Sequence, residues 1–301
     1  MPTVSDTEVF EAHRGLMFAM AYRMLGSVAD AEDAIQDAWL RWTAVPRSDI
    51  AEPRAYLVRI ITNTALNRLR SARARRESYI GPWLPEPVLT DASPDAAERA
   101  ELAESVSVAM LVVLESLAPE ERAAFVLREV FGFAPAEIGE ALGRSDAAVR
   151  QLVHRAREHV RARRPRFDVD KGQQREVTER FLAAATGGDL DQLMEVLAPE
   201  VTLTGDGGGI ARAPLRPIVG AAKVVRFIAA ISGRPYMGIE ISGMAIDIAE
   251  INGSPGVVVS AAGRVITTMT AVVADGRITE IQLIANPDKL RAITAGRTLP
   301  I

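Results

Sequence analysis

The chain has 301 residues, enough for two or three domains with cores of their own, and 48% of them are apolar, which excludes global disorder. It contains no cysteine, which excludes disulfides and thiolate metal sites. The formal net charge of −4 is unevenly spread: residues 171–301 balance 13 basic against 13 acidic side chains, and residues 1–170 hold 22 against 26.

The first residues, MPTVSDTEVFEAHRG, carry charge throughout and lack the apolar core of a secretion signal. No apolar run approaches the roughly 20 residues of a membrane span. A soluble, cytoplasmic protein without a membrane partner is expected.

Apolar residues at three- and four-residue spacing predict two amphipathic helices, over 8–26 and 29–43, split at Gly26-Ser27. A Pro-containing loop over 46–53 leads to a third helix from about Arg54 to Arg75. The stretch GPWLPEPVLTDASPD holds four prolines and cannot continue a helix, so it reads as a linker. Helical pattern resumes near Ala96 and runs through Leu117, and Ala118-Pro119 opens the next helix. Beyond Arg164-Pro165 come helices at Gln174–Thr186 and Asp189–Leu197, then Val- and Thr-rich runs with hairpin signals at Asn252-Gly253 and Asp275-Gly276. No internal repeat is present. The expected architecture is multi-domain: two all-α helical domains at 1–77 and 96–165, joined by a linker at 78–95, then an α+β domain at 172–301.

The segment GRSDAAVRQLVHRAREHVRARRPR, residues 143–166, holds eight arginines against two acids. Ala136–Leu142 forms a short helix, Gly143 ends it, and Ser145 caps the next, a helix-turn-helix pattern. Val149, Leu152, Val153, Ala156 and Val160 form its buried stripe, leaving Arg150, Gln151, His154, Arg155 and Glu158 facing outward. Long donors there suit base edges in the major groove, and Arg157 with the later arginines suits phosphates. DNA is therefore an expected partner, although this motif alone does not separate a repressor, a response regulator and a sigma factor.

The first 76 residues discriminate. AEDAIQDAWLRW, residues 31–42, resembles the core-polymerase-binding helix of sigma factors of the extracytoplasmic-function family. It presents Glu32, Asp33, Gln36 and Asp37 beside exposed or half-exposed Trp39, Leu40 and Trp42, an acidic surface with apolar anchors for docking. PRAYLVRIITNTALNRLRSARARR, residues 53–76, is similar to the family helix that recognises and melts the −10 element. Its seven arginines (54, 59, 68, 70, 73, 75 and 76) would track the backbone, and Asn63 stands where the family has an Asn near the flipped base. The loop Arg47–Glu52 would supply the pocket. Asn67 stands where the family often has Asp. The −10 set implied is Arg54, Arg59, Asn63, Asn67 and Arg70. ERAAFVLREVFGFAPAEIGEALG resembles sigma region four, the −35 reader, with Ser145, Arg150, Gln151, His154, Arg155 and Arg157 at the DNA. The resemblance covers residues 8–162 in the family's order.

Residues 171–301 resemble the cone-shaped SnoaL-like domain that a subset of these sigma factors carries in place of a separate anti-sigma partner. Three motifs mark the subset: Trp83-Leu84-Pro85-Glu86-Pro87, Asp206-Gly207-Gly208-Gly209 and Asn286-Pro287-Asp288-Lys289-Leu290. The resemblance implies control of sigma activity through contacts with the linker. Trp83 lies in a segment too short and Pro-rich to bury it locally, so it needs a docking surface. Asn286-Pro287-Asp288 would form a rim loop with Asp288 and Lys289 free for polar contacts.

Catalysis has little basis here. All three histidines precede residue 165, and of the nominal carboxylate bases, Asp206 and Asp247, the former stands before three glycines as a turn former. The Gly-rich run leads into two prolines and no lysine, unlike a phosphate loop. No cofactor, metal or catalytic residue is assigned; a small apolar ligand in the cone is a further candidate partner. The expected function is a bacterial alternative sigma factor that binds core RNA polymerase and promoter DNA and is controlled by its own C-terminal domain. The alternative is a DNA-binding module fused to a small-molecule-converting enzyme.

Overall fold

Helix α1 (Asp6–Leu25) ends where Gly26 takes φ 66, and Ser27 starts α2 (Val28–Thr43) by accepting the Asp30 amide at 3.1 Å. The computed structural model describes residues 6–46, 50–90, 106–163, 171–232, 235, 240 and 243–299, excluding the side chains of 72–77, Lys171 and Ser232. They fall into two units: Met1–Ser78 with Leu111–Arg163, and Tyr79–Met110 with Arg164–Ile301. Helix α4 (Val108–Glu115) crosses the division. The expected helix start near Ala96 lies outside the described residues.

In the first unit α1 and α2 pack with α3 (Pro53–Glu77) around Met17, Met20, Met24, Trp42, Leu57 and Ile61. Unbranched methionines fill the irregular space between three crossing helices. Helix α5 (Pro119–Phe125) runs on as a π-helical turn, Val126–Val130. Helix α6 (Pro135–Leu142) and α7 (Asp146–Arg163) follow. Proline at the opening of α3, α5 and α6 costs no hydrogen bond, because the first amides of a helix lack internal acceptors.

The second unit is α+β. Helices α8 (Lys171–Gly187) and α9 (Leu190–Val196, capped by the Asp189 carboxylate) precede strand β2 (Leu197–Asp206). Then come β3 (Ile218–Val219), α10 (Ala221–Ser232), β4 (Met244–Ile251), β5 (Ser254–Ala261), β6 (Arg264–Ala274), β7 (Arg277–Ile284), α11 (Arg291–Thr294) and β8 (Thr298–Leu299). The linker itself supplies β1 (Leu89–Thr90), and the sheet order is β3-β2-β7-β6-β5-β4-β1-β8. The β4–β7 meander turns at Asn252-Gly253, Ala262-Gly263 and Asp275-Gly276, each pair with φ between 49 and 73. The first and third were legible. The second was not, because Ala262 adopts a left-handed conformation at a cost of about 1–2 kcal/mol.

Val177, Phe181, Val224 and Ile228 of the helices pack on Leu203, Ala271 and Ile281 on one face of this sheet. Strand alternation sends Ile284 to the opposite face, where it meets Leu84, Ile251, Leu290 and Ile293. That second cluster joins linker to sheet.

Candidate functional site

On α2 the stripe Val28, Ala31, Ile35, Ala38 and Trp42 is buried, and the remainder of the helix is displayed. Gln36 and Leu40 are exposed, Leu40 at 66%. Trp39 is half-buried, edge-on to Phe10 with centroids 4.9 Å apart. Trp42, expected to be exposed or half-exposed, is instead fully buried, its indole nitrogen donating to the Asp6 carbonyl at 3.0 Å. It falls four residues after Ala38, on the stripe rather than beside it. The acids are already engaged: Glu32 pairs with Arg14 at 2.5 Å, while Asp33 and Asp37 receive Arg68 of α3 at 3.3 and 2.7 Å. Arg68, expected to track DNA, thus ties α3 to α2.

Along α3, Arg54 lies 5.2 Å over the Phe133 ring and Arg59 lies 5.3 Å over Tyr56. Asn63 donates to the Arg59 carbonyl and, at 3.0 Å, to the Ala141 carbonyl at the end of α6. Asn67 is exposed, and Arg70 reaches Glu120 at 3.5 Å. A cleft of about 270 Å³ between the Ile50–Glu52 loop, α3 and α6 is lined by Tyr56, Arg59, Phe133, Glu137 and Glu140. Of the loop expected to form a pocket, Ile50, Ala51 and Glu52 line this cleft, and 47–49 lie outside the described residues, as do the side chains of Arg73, Arg75 and Arg76. In this arrangement the face of α3 carrying Arg54 and Asn63 is in contact with the segment that bears the helix-turn-helix.

That motif forms as its residues dictate. Gly143 caps α6 with φ 63, and a Cβ on Gly139 would stand 2.7 Å from the Arg144 carbonyl oxygen, so the turn is as tight as glycine permits. Ser145 accepts the Ala148 amide at 3.3 Å. Arg150, Gln151 and His154 are exposed on α7. Arg150 stays local, donating to the Asp146 carbonyl, whereas Arg155 pairs with Glu121 at 2.7 Å and Arg157 with Glu129 at 2.8 Å. Two buried arginines that sequence reasoning passed over join the helical segments of this unit. Arg122 donates to the Met24 carbonyl and to Glu115, both at 2.7 Å, and burial pulls its pKa down to about 9. Arg23 lies 5.4 Å over the Phe131 ring, and burial pulls its pKa to about 10.

The second unit brings the three short motifs together. Asp206, 0% exposed at the end of β2, accepts four bonds: from the Tyr79 hydroxyl at 2.6 Å, the Leu84 amide at 2.8 Å, the Gly208 amide at 3.1 Å and the Lys289 ammonium at 2.7 Å. Four donors satisfy a carboxylate that water cannot reach. Lys289, expected to be free on a rim, is buried; it also bonds the Leu84 carbonyl and stands 3.9 Å over the Trp83 ring. Its charge points inward, because the acceptors are there. Asn286 donates to the Tyr79 hydroxyl at 2.7 Å and accepts the Asp288 amide, while Pro287 and Asp288 are exposed and Asp288 pairs with Arg291.

The glycines are required by close approach. A Cβ on Gly207 would meet the Ala211 carbonyl oxygen at 2.2 Å, one on Gly208 the Asn286 amide nitrogen at 2.3 Å, and one on Gly209 the Ile80 side chain at 2.8 Å. Within the linker motif the anchor is Leu84, 2% exposed, with Pro85, Glu86 and Pro87 buried behind it; Trp83 is only half-buried. Asp206 is thus a buried acceptor as well as a turn residue, and Asp247 is exposed. Tyr79 was missed. Its only signal was a phenol a few residues ahead of the Pro-rich motif.

Residues 9–75 match the family Sigma-70 region 2, and residues 107–160 match Sigma-70, region 4. The chain is 43% identical over 296 residues to the ECF RNA polymerase sigma factor SigJ of Mycobacterium tuberculosis, covering 94% of this chain and 93% of the relative. It is 32% identical over 293 residues to a probable ECF RNA polymerase sigma factor, SigI, of the same species, covering 95% and 96%. The crystal structure of M. tuberculosis SigJ superposes with a TM-score of 0.73 at 40% identity, over 93% of this chain and 96% of that one. With two sigma regions in order and a full-length relative at this identity, the chain belongs to the extracytoplasmic-function family of RNA polymerase sigma factors.

Proposed function

We propose that this sigma factor carries its own regulator: the C-terminal α+β domain grips the linker at Trp83–Pro87 and thereby controls how regions 2 and 4 act. As a member of its family the chain binds core RNA polymerase and promoter DNA and directs transcription initiation. Its place of work is the cytoplasm, with the polymerase. In this reading Glu32, Asp33, Gln36, Asp37, Trp39 and Leu40 dock on core polymerase. Arg54, Arg59, Asn63, Asn67 and Arg70 engage the −10 element, and Ser145, Arg150, Gln151, His154, Arg155 and Arg157 engage the −35 element. The exposure of Leu40, Arg150, Gln151 and His154 supports this assignment. The ion pairs of Asp37, Arg155 and Arg157 mean that binding exchanges partners rather than filling vacant sites.

The observation that carries it is Asp206: one buried carboxylate joins two linker groups, Tyr79 and the Leu84 amide, to Lys289 of the third motif. Removing one member of a buried pair costs about 3–5 kcal/mol, so Asp206→Asn should free the linker. Gly208→Ala is a milder probe, since its Cβ would displace the Asn286 amide. Run-off transcription with reconstituted holoenzyme, alongside protease sensitivity of the linker, tests it. Both variants should cleave faster and transcribe at a level different from the parent. Equal cleavage and equal transcription in folded protein would reduce the linker to a tether.

A further inference from the structure

The hairpin turns of the β4–β7 meander differ in surroundings. Ala262, Gly263 and Asp275 are exposed, as turn residues usually are, whereas Asn252 is 0% exposed and Gly253 is buried. Both face the linker. The Asn252 amide donates to the Val88 carbonyl at 2.9 Å, and its side-chain oxygen accepts the Val88 amide at 3.0 Å. Its side-chain nitrogen donates to the Val106 carbonyl at 2.8 Å, and the Gly253 amide donates to the Thr90 hydroxyl at 2.9 Å. Leu89 pairs with Ile251 beside them. One side chain therefore holds the two ends of the 89–105 segment. From Val106 the chain enters α4, the first helix of region 4.

We propose that Asn252 is a positioning residue for promoter reading: by fixing Val106 it sets the point from which region 4 departs, and with it the spacing between −35 and −10 elements that the protein accepts. The inference rests on the reading that the C-terminal domain holds the linker. The side-chain amide satisfies a donor at Val88 and an acceptor at Val106, so one residue holds both points, which no apolar contact achieves with the same register.

Asn252→Gly deletes the side chain and keeps the positive φ, so the turn itself is unstrained. Asn252→Asp keeps the acceptor for Val88 and loses the donor for Val106. Reconstituted holoenzyme carrying each variant would transcribe a promoter series differing only in spacer length, with hydrogen exchange read on 79–84 and 106–110. The parent should show a narrow spacer optimum. Both variants should flatten it, with the ratio of best to second-best spacer falling at least threefold, and should speed exchange at 106–110 about tenfold while 79–84 stays protected. An unmoved spacer profile overturns the proposal, whether exchange rises or not, and so does loss of protection at 79–84 to the same degree. Asp206→Asn run in parallel separates the two failures. If it alters transcription while the Asn252 variants leave the spacer profile intact, this inference fails and linker control stands; if it alters nothing, linker control fails.

Discussion

Arg122 donates from a guanidinium that is 3% exposed to the carbonyl of Met24, 2.7 Å away, so the last turn of α1 is closed by a cation from the helical segment that follows the linker. Cations at a helix C-terminus oppose its partial negative charge, and here the opposition is buried. Among the described residues the Nε of Arg122 has no hydrogen-bond partner. Arg122→Ala is expected to destabilise the helical unit by about 3–5 kcal/mol, because the Met24 carbonyl and Glu115 both lose a buried cationic donor. Arg122→Met, which restores apolar volume, should cost clearly less. Urea denaturation of the two variants checks the order; equal losses would show that the lost cation, not volume, is what matters there.

Leu40 is a large apolar side chain 66% exposed beside the half-buried Trp39. Leu40→Glu should leave the melting temperature within a degree or two, since nothing packs away. It should weaken core polymerase binding at least tenfold, about 1.4 kcal/mol. A competition assay against a second sigma factor measures it, and undiminished competition would move the docking surface elsewhere.

On α7 the arginines differ in freedom. Among the described residues Arg150 bonds within its own first turn, while Arg155 is held by Glu121 at 2.7 Å. Arg150→Ala should cost about 1–3 kcal/mol on the cognate −35 sequence and little on a scrambled one. Arg155→Ala should cost less than Arg150→Ala, because its release from Glu121 offsets part of any DNA contact. Fluorescence anisotropy on the two sequences decides, and equal losses on both would make Arg150 a phosphate contact.

Tyr79 supplies a pH signature. Burial and then the bond to Asp206 raise its pKa above the usual 10.0. The docked linker keeps the proton where a released or unfolded chain loses it, so this contribution is full below about pH 10 and declines as pH rises above it. In an absorbance titration of phenolate, Tyr79→Phe should remove the component that ionises last. If it removes one that ionises near pH 10, the phenol is not docked.

Much of this was legible in the residues. The stripe Val149, Leu152, Val153, Ala156, Val160 and the Gly143 and Ser145 punctuation follow from local periodicity and capping, and the structure keeps each of them. What failed was long-range. Asp206 before three glycines has the local grammar of a turn, and only chain closure over more than a hundred residues makes it an acceptor for Tyr79 and Leu84. Lys289 was given to solvent because lysine usually is; its burial depends on a carboxylate 83 positions away. Trp42 was misplaced for a local reason: it falls four residues after Ala38, on the buried stripe and not beside it. Asn252-Gly253 was read as a hairpin and is one, but nothing nearby in sequence announces that its amide faces Val88 and Val106.

Strand β8 pairs in parallel with β1 alone, and β1 is the linker. Thr298 and Leu299 are therefore moored to a strand contributed from about two hundred positions earlier. A linker that let go would take β8 with it and end the pairing of Leu89 with Ile251 that joins β1 to β4. The C-terminal strand is therefore a gauge of what happens at the middle of the chain.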